Sequence, residues 1–396
     1  MASIVDTSVK HAYSSMAGAP IISGTAGALI AVLDAFLVTG WGSKAVDLAT
    51  ISGGVCRLNF ASGKSAAQEH AVILVAGASP AGINGEQKVT AVANGWVEFK
   101  TDLPDGTITG SISFKMAPLG WEKVFSKTNV AVYRSADPAG TRCFLRVDDT
   151  DAKNARVMAY EGMTSVDDGV GAYPLPSQIA GGGYWPKAST VSAASCSWSL
   201  FGDSHGFVLH THTLAESPGI SGSVWGFGDL EPVKSGDAYA SVLFCAASDV
   251  SSATDLQSSS LEHVSPAGGT NAFLPRSFTG IGSCIKGIHG AEGLISGTGV
   301  AGAVAGSLLP TYPNGAGNSL FFTRKAVAEP IAGLRGLVRG LYMPAQSCHL
   351  AFSKGDMLDG VGVSSGRKLL AVKCGAPAGG SSAGVLFVDI TGPWEV

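Results

Sequence analysis

Charge is scarce in this chain. Asp, Glu, Lys and Arg make up 14% of its 396 residues, against roughly a quarter in ordinary soluble domains. The net charge is −4 and no Lys/Arg cluster stands out. Nonspecific binding to nucleic acid needs a basic stripe that neutralises phosphates, so no nucleic-acid partner is expected. No Cys-x-x-Cys pair occurs among the seven cysteines, which removes zinc ribbons and dithiol redox motifs. Cys56, Cys143, Cys196, Cys245, Cys284, Cys348 and Cys374 mostly sit beside apolar residues, as in VLFCAA and AVKCG, and read as buried reduced thiols. A membrane-length apolar run is missing too. In GTAGALIAVLDAFLVTGWG, Asp34 and the bounding glycines leave about fifteen residues where a span needs roughly twenty. Its Ala/Leu content predicts a helix, buried or at a subunit contact. The opening MASIVDTSVKHAYSS has neither the basic start nor the apolar core of a signal peptide. Synthesis in the cytoplasm, with no membrane partner, is the expectation.

What is present in excess is glycine, 54 residues, about double the usual share of roughly 7%. GGVCRLNFAS, AVILVAGA, EQKVTAVA, GWVEFKT and TITGSISFK are short β-rich runs separated by Gly, Asn, Pro and Asp. Such spacing predicts small barrels or sandwiches. Asn94-Gly95 supplies a tight turn in which both residues tolerate positive φ. The expected fold is mainly β, built of several small barrel or sandwich modules with an N-terminal arm and one apolar helix. Residues 1–47 are read as that arm and helix, serving as an assembly contact. A small β-module occupies 48–116 and a sandwich-like module 117–250. Residues 251–270 are polar and read as a linker or long loop, and 271–396 as a glycine-rich β region closed by GRKLLAVKC and AGVLFVDITGPW. A charge-poor surface favours coverage by neighbouring subunits.

Several stretches imitate reactive motifs. In GASPAGIN the outer glycines of a phosphate loop, Gly77 and Gly82, are followed by Ile83 and Asn84 instead of Lys and Ser/Thr. There is then no charge for the outer phosphates, no magnesium ligand and no following helix. GTGVAG (Gly297, Gly299, Gly302) matches the dinucleotide fingerprint, but Pro310 and Pro313 break any helix early. The first acidic residue, Glu329, is too distant. GSSAG, with Ser382 as nucleophile, precedes a strand rather than a helix and has no histidine downstream.

His210 and His212 project from one strand face, with His205 and Asp203 just upstream and Glu216 beyond. This is a possible metal set, while a half-exposed polar strand face explains HTHT equally well. Asp148, Asp149, Asp151 and Asn154 crowd a hairpin tip that lacks the order of a calcium loop. Trp121, Tyr184 and Trp185 serve either as core or interface anchors or as stacking platforms for sugars. Glu122, Asp148, Asp149 and Glu161 are the carboxylates from which a glycan hydrolase would have to be built. No catalytic, cofactor-binding or metal set survives these comparisons. No enzyme and no cofactor is expected.

The segment EHAVILVAGASPAGINGEQKVTAVANGWVEFKTDLPDGTITGSISF resembles a small β-module that recurs in tail-associated proteins of bacteriophages and prophages. Gly77, Asn84, Gly85, Val89, Phe99, Gly110 and Ile112 occupy its pattern positions. APIISGTAGALIAVLDAFLVTGWGSKAVD, GWEKVFSKTNVAVYRS, FLRVDDT and LFVDITGPW look like parts of the same virion proteins. The resemblance implies a structural component of a phage virion, most of all of the tail (tube, baseplate or connector-proximal). It would assemble as a symmetric oligomer with itself and other virion proteins. A capsid decoration or receptor-binding adhesin that contacts host surface glycan is the alternative within that class. A tail-associated glycan-degrading enzyme is the alternative outside it.

Overall fold

A computed structural model describes residues 3–61, 63–214, 222–248, 269–292, 295–296, 299–300, 312–313, 320–330, 333–346, 348–375 and 383–394. Over these residues the chain is mainly β, as expected, with one short α-helix that continues as a π-helix. Among the described residues no helix is long and apolar enough to cross a membrane. Gly297, Gly302, Ser382, Glu216 and nearly all of the expected linker lie outside them.

The small module is an eight-stranded antiparallel sheet. Its order is Lys44–Ala45, Ser113–Met116, Val72–Ala76, Gly85–Ala93, Trp96–Lys100, Val55–Asn59, Leu48–Ser52 and Gly106–Ile108. Successive strand residues face opposite sides, so alternate apolar positions build one core. Cys56 and Leu58 turn inward from one strand, Val97 and Phe99 from its neighbour. A bridge between Ser79 and Thr109, with N–H···O distances of 2.8 and 3.0 Å, draws the end of the last strand against the chain leaving Val72–Ala76. The sheet therefore curls back on itself.

This curl depends on two glycines in direct backbone contact. A Cβ on Gly110 would lie 2.2 Å from the Gly77 carbonyl oxygen, and one on Gly77 would lie 2.1 Å from that of Ser111. Both glycines also hold positive φ, +112° and +82°, so no side chain is tolerated at either. The Asn84 side chain closes the intervening loop, accepting from the Ala78 amide at 2.9 Å and donating to its carbonyl at 3.0 Å. Ile83 is fully buried. The turn at Asn94-Gly95 forms, with Gly95 alone of the two at a positive φ.

Residues 121–186 form a five-stranded antiparallel sheet: Trp121–Lys127, Val130–Ser135, Phe144–Asp148, Asn154–Tyr160 and Gly183–Pro186. The remainder is a thirteen-stranded sheet running from Trp198–Gly202 and Gly206–Thr211 to Lys368–Gly375 and Ala383–Asp389. It crosses the boundary expected between 117–250 and 271–396, because Ser241–Phe244 pairs directly with Gly269–Leu274. The division inside 117–250 instead falls between the five-stranded sheet and Trp198.

Residues 3–47 pack into the body of the chain instead of forming an extended arm. Lys10–Tyr13 pairs with Trp198–Gly202 as an edge of the large sheet, and Val9, Ala12 and Ile22 are fully buried. Helix Ala28–Leu33 and the π-turn Asp34–Thr39 place Leu29, Val32, Leu33, Phe36 and Leu37 in one continuous core. That core also takes in residues of the small module, the five-stranded sheet and the start of the large sheet. Most of the helix's apolar face is buried inside this chain, while Ile30 and Val38 stay partly exposed.

Asp34, the residue that interrupts the apolar run, accepts from the Tyr133 hydroxyl at 2.8 Å and pairs with Lys123 at 2.6 Å. Buried Lys88, with burial the main cause holding its amine down at about 8, donates to the carbonyls of Val9 (3.3 Å) and Ile390 (3.4 Å). The small module, the N-terminal strand and the C-terminal segment are thereby tied together.

Candidate functional site

A cleft lies at a seam of the large sheet. A parallel bridge between Gly222 and Cys374, and a 2.7 Å contact of His210 Nε2 with the Lys373 carbonyl, bring the late strands back against the early ones. Between them, beside the N-terminal strand, is a space of about 420 Å³ lined by His11, Tyr13, Ser14, Ser197, His210 and Lys354, among others. Leu370, Val372 and Ile390 give it an apolar wall, and Glu69 of the small module also borders it.

Three polar side chains in this cleft are linked. Lys354 Nζ lies 2.9 Å from Ser197 Oγ. Ser197 Oγ lies 3.2 Å from Ser14 Oγ, which accepts the Trp198 amide at 3.2 Å. Burial holds the Lys354 amine down at about 8. His11 and His210 are buried and held in the neutral form, His11 at about 3; desolvation is the main cause for both. Ser14, Ser197 and Lys354 are more than 150 residues apart in sequence. No local motif announces them, and sequence reasoning missed them for that reason.

Of the residues singled out from sequence, His210 borders this cleft; the others lie elsewhere and are mostly engaged in structure. His210 and His212 do face each other, with ring centroids 4.5 Å apart, but both are buried. The half-exposed strand face is therefore incorrect. Asp203 is bound to Arg339 at 2.8 Å and accepts the amides of His205 and Gly206. His205 lies 3.4 Å from Asp229 and 3.5 Å from Asp137, and the Asp229 carboxylate raises its pKa against the effect of burial. Among the described residues no group of three or more His, Cys, Asp or Glu is placed to hold a metal ion. All seven cysteines are buried and none is in a disulfide.

The hairpin-tip carboxylates take different roles. Asp149 is fully buried, paired with Lys187, and accepts the Leu29 and Ile30 amides at 2.8 and 3.2 Å. Helix Ala28–Leu33 has no acidic residue in its first turn and no side-chain cap of its own. Asp149 supplies that cap from about 120 residues away. Burial pushes its carboxyl up, while Lys187 and the two amides pull it back. Asp148 accepts from Thr150, Asp151 from the Lys153 and Asn154 amides.

The carboxylates of a hydrolase do not converge. Glu122 pairs with Arg134 at 2.6 Å and Glu161 with Arg276 at 2.7 Å. Trp121 and Trp185 are buried, and their ring N–H groups donate to the carbonyls of Asp203 and Phe244. Of the sugar-stacking candidates only Tyr184 is partly accessible, and the Arg156 guanidinium covers its ring at 3.8 Å. The chain matches no protein-family model and no curated protein.

Proposed function

We propose that the chain is a structural component of a phage virion, built into the tail as a symmetric oligomer. The observation that carries this reading is the use made of the seven pattern positions of the small module. Gly77 and Gly110 meet backbone to backbone, Asn84 and Gly85 shape one loop, and Val89, Phe99 and Ile112 fill the core. Each sets the frame and none bears on chemistry, which fits a building block. Surface character supports the same reading. Ile281, Leu350 and Val361 are 76%, 79% and 82% exposed on a chain with little charge to keep copies apart. Strand Met357–Asp359 is paired on one side only, by Lys368–Gly375, among the described residues. An open strand edge of this kind is a template for further pairing. Closed oligomers bury such features around a symmetry axis.

The test is the mass of the purified full chain in solution. Light scattering at tens of micromolar should give an integral multiple of 40.0 kDa, and Val361→Lys with Leu350→Lys should shift it toward one chain. A single-chain mass at every concentration would count against assembly through copies of itself.

A further inference from the structure

We propose that Ser197 is a nucleophile activated by Lys354, and that the seam cleft accepts a short-chain carboxylic ester. This goes beyond the assembly role and does not depend on it.

The hydrogen-bond directions carry the inference. The Trp198 amide can only donate, so its 3.2 Å contact makes Ser14 Oγ an acceptor. The Ser14 hydroxyl hydrogen is then free to be donated to Ser197 Oγ at 3.2 Å. Lys354 Nζ donates to Ser197 Oγ at 2.9 Å while charged, and once neutral the same contact lets its lone pair take the Ser197 hydrogen. The chain of donors ends on a nitrogen lone pair, which is the arrangement that turns a hydroxyl into a nucleophile. Lysine acts as the base in serine–lysine pairs when its surroundings disfavour the charged form. Here desolvation lowers the amine to about 8. Among the described residues the other titratable groups lining the cleft are His11 and His210, both neutral, Tyr13 and Glu69.

The cleft also sets the substrate class. About 420 Å³ with a wall of Leu370, Val372 and Ile390 suits a small apolar acyl group. Glu69 beside it disfavours an anionic one. In the reaction the Ser197 oxygen bonds to the ester carbonyl carbon while its proton passes to Lys354 Nζ. The bond to the leaving alcohol breaks, and the alcohol oxygen takes that proton. Water then attacks the acyl-Ser197 carbon, giving its proton to Lys354 and restoring the serine hydroxyl. The net change is ester plus water to carboxylic acid plus alcohol. Ser14 is a positioning residue.

A fluorophosphonate probe tests this on the full chain, because phosphorus bonds to an activated serine oxygen and fluoride leaves. Labelling should map to Ser197 by peptide mass spectrometry, with a rate that rises with pH through a midpoint near 8. Ser197→Ala should abolish it. Lys354→Met and Lys354→Arg should each slow it at least ~100-fold, the scale of a lost general base. Ser14→Ala should lower the rate about tenfold with the midpoint unmoved, which a merely structural defect would not produce. p-Nitrophenyl acetate turnover should fall in the same order. Circular dichroism of each variant separates lost chemistry from lost fold. Absent labelling of the folded wild type, or labelling indifferent to Ser197→Ala or to either Lys354 variant, overturns the proposal. Neither result bears on oligomer mass, so the two readings fail separately.

Discussion

Deleting residues 1–40 unfolds the chain. The deletion removes the side chains of Leu29, Val32, Leu33, Phe36 and Leu37, all essentially inaccessible to solvent. At about 1.5–3 kcal/mol for each buried large apolar side chain, the loss is of the order of 10 kcal/mol. Ordinary domains have only ~5–15 kcal/mol of net stability. The deletion also strips the strand that covers Trp198–Gly202 and exposes the partner surface of the five-stranded sheet. The expected result is insoluble protein, or soluble protein without a cooperative thermal transition. A truncated chain with an unchanged transition, impaired only in assembly, would show that these residues act as an arm after all.

Replacing Asp149 by alanine is expected to cost about 3–5 kcal/mol, the usual penalty for leaving one partner of a buried ion pair uncompensated. Lys187 would be stranded at zero exposure, and helix Ala28–Leu33 would lose its only side-chain cap among the described residues. Lys187→Met should be comparably damaging. The double variant Asp149→Leu with Lys187→Met should be less damaging than the two single changes summed, since no charge is then left buried. Urea midpoints of the three variants measure this. Additive effects, or a midpoint for Asp149→Ala within about 0.5 kcal/mol of wild type, would show that the pair does not hold the helix.

The fold class was legible because strand period and turn chemistry are local properties. EQKVTAVA, GWVEFKT, GRKLLAVKC and AGVLFVDITGPW all form strands, and the hairpin read around residues 148–154 forms between Phe144–Asp148 and Asn154–Tyr160. Contacts between distant segments left no local trace. A polar stretch at 251–270 looks like a boundary, yet the strands before and after it are neighbours in one sheet. Asp149 looks like a solvated hairpin tip, yet it serves a helix that starts at Ala28. The same blindness hid the cleft. Serine is common in this chain, and it is the pairing of Lys10–Tyr13 with Trp198–Gly202 that sets Ser14 beside Ser197, where Lys354 reaches them from a distant segment. The phosphate loop could be rejected from sequence because that motif is local, and the absence of Lys and Ser/Thr after Gly82 can be read directly.

The most direct measurement is the position and copy number of this chain in imaged phage particles, using labelled antibody and density at a resolution that shows subunits. A structural tail component predicts several symmetry-related copies on the tail, with Leu350 and Val361 buried between subunits. Particles that carry no copy of the chain, or that assemble normally without it, would contradict that role.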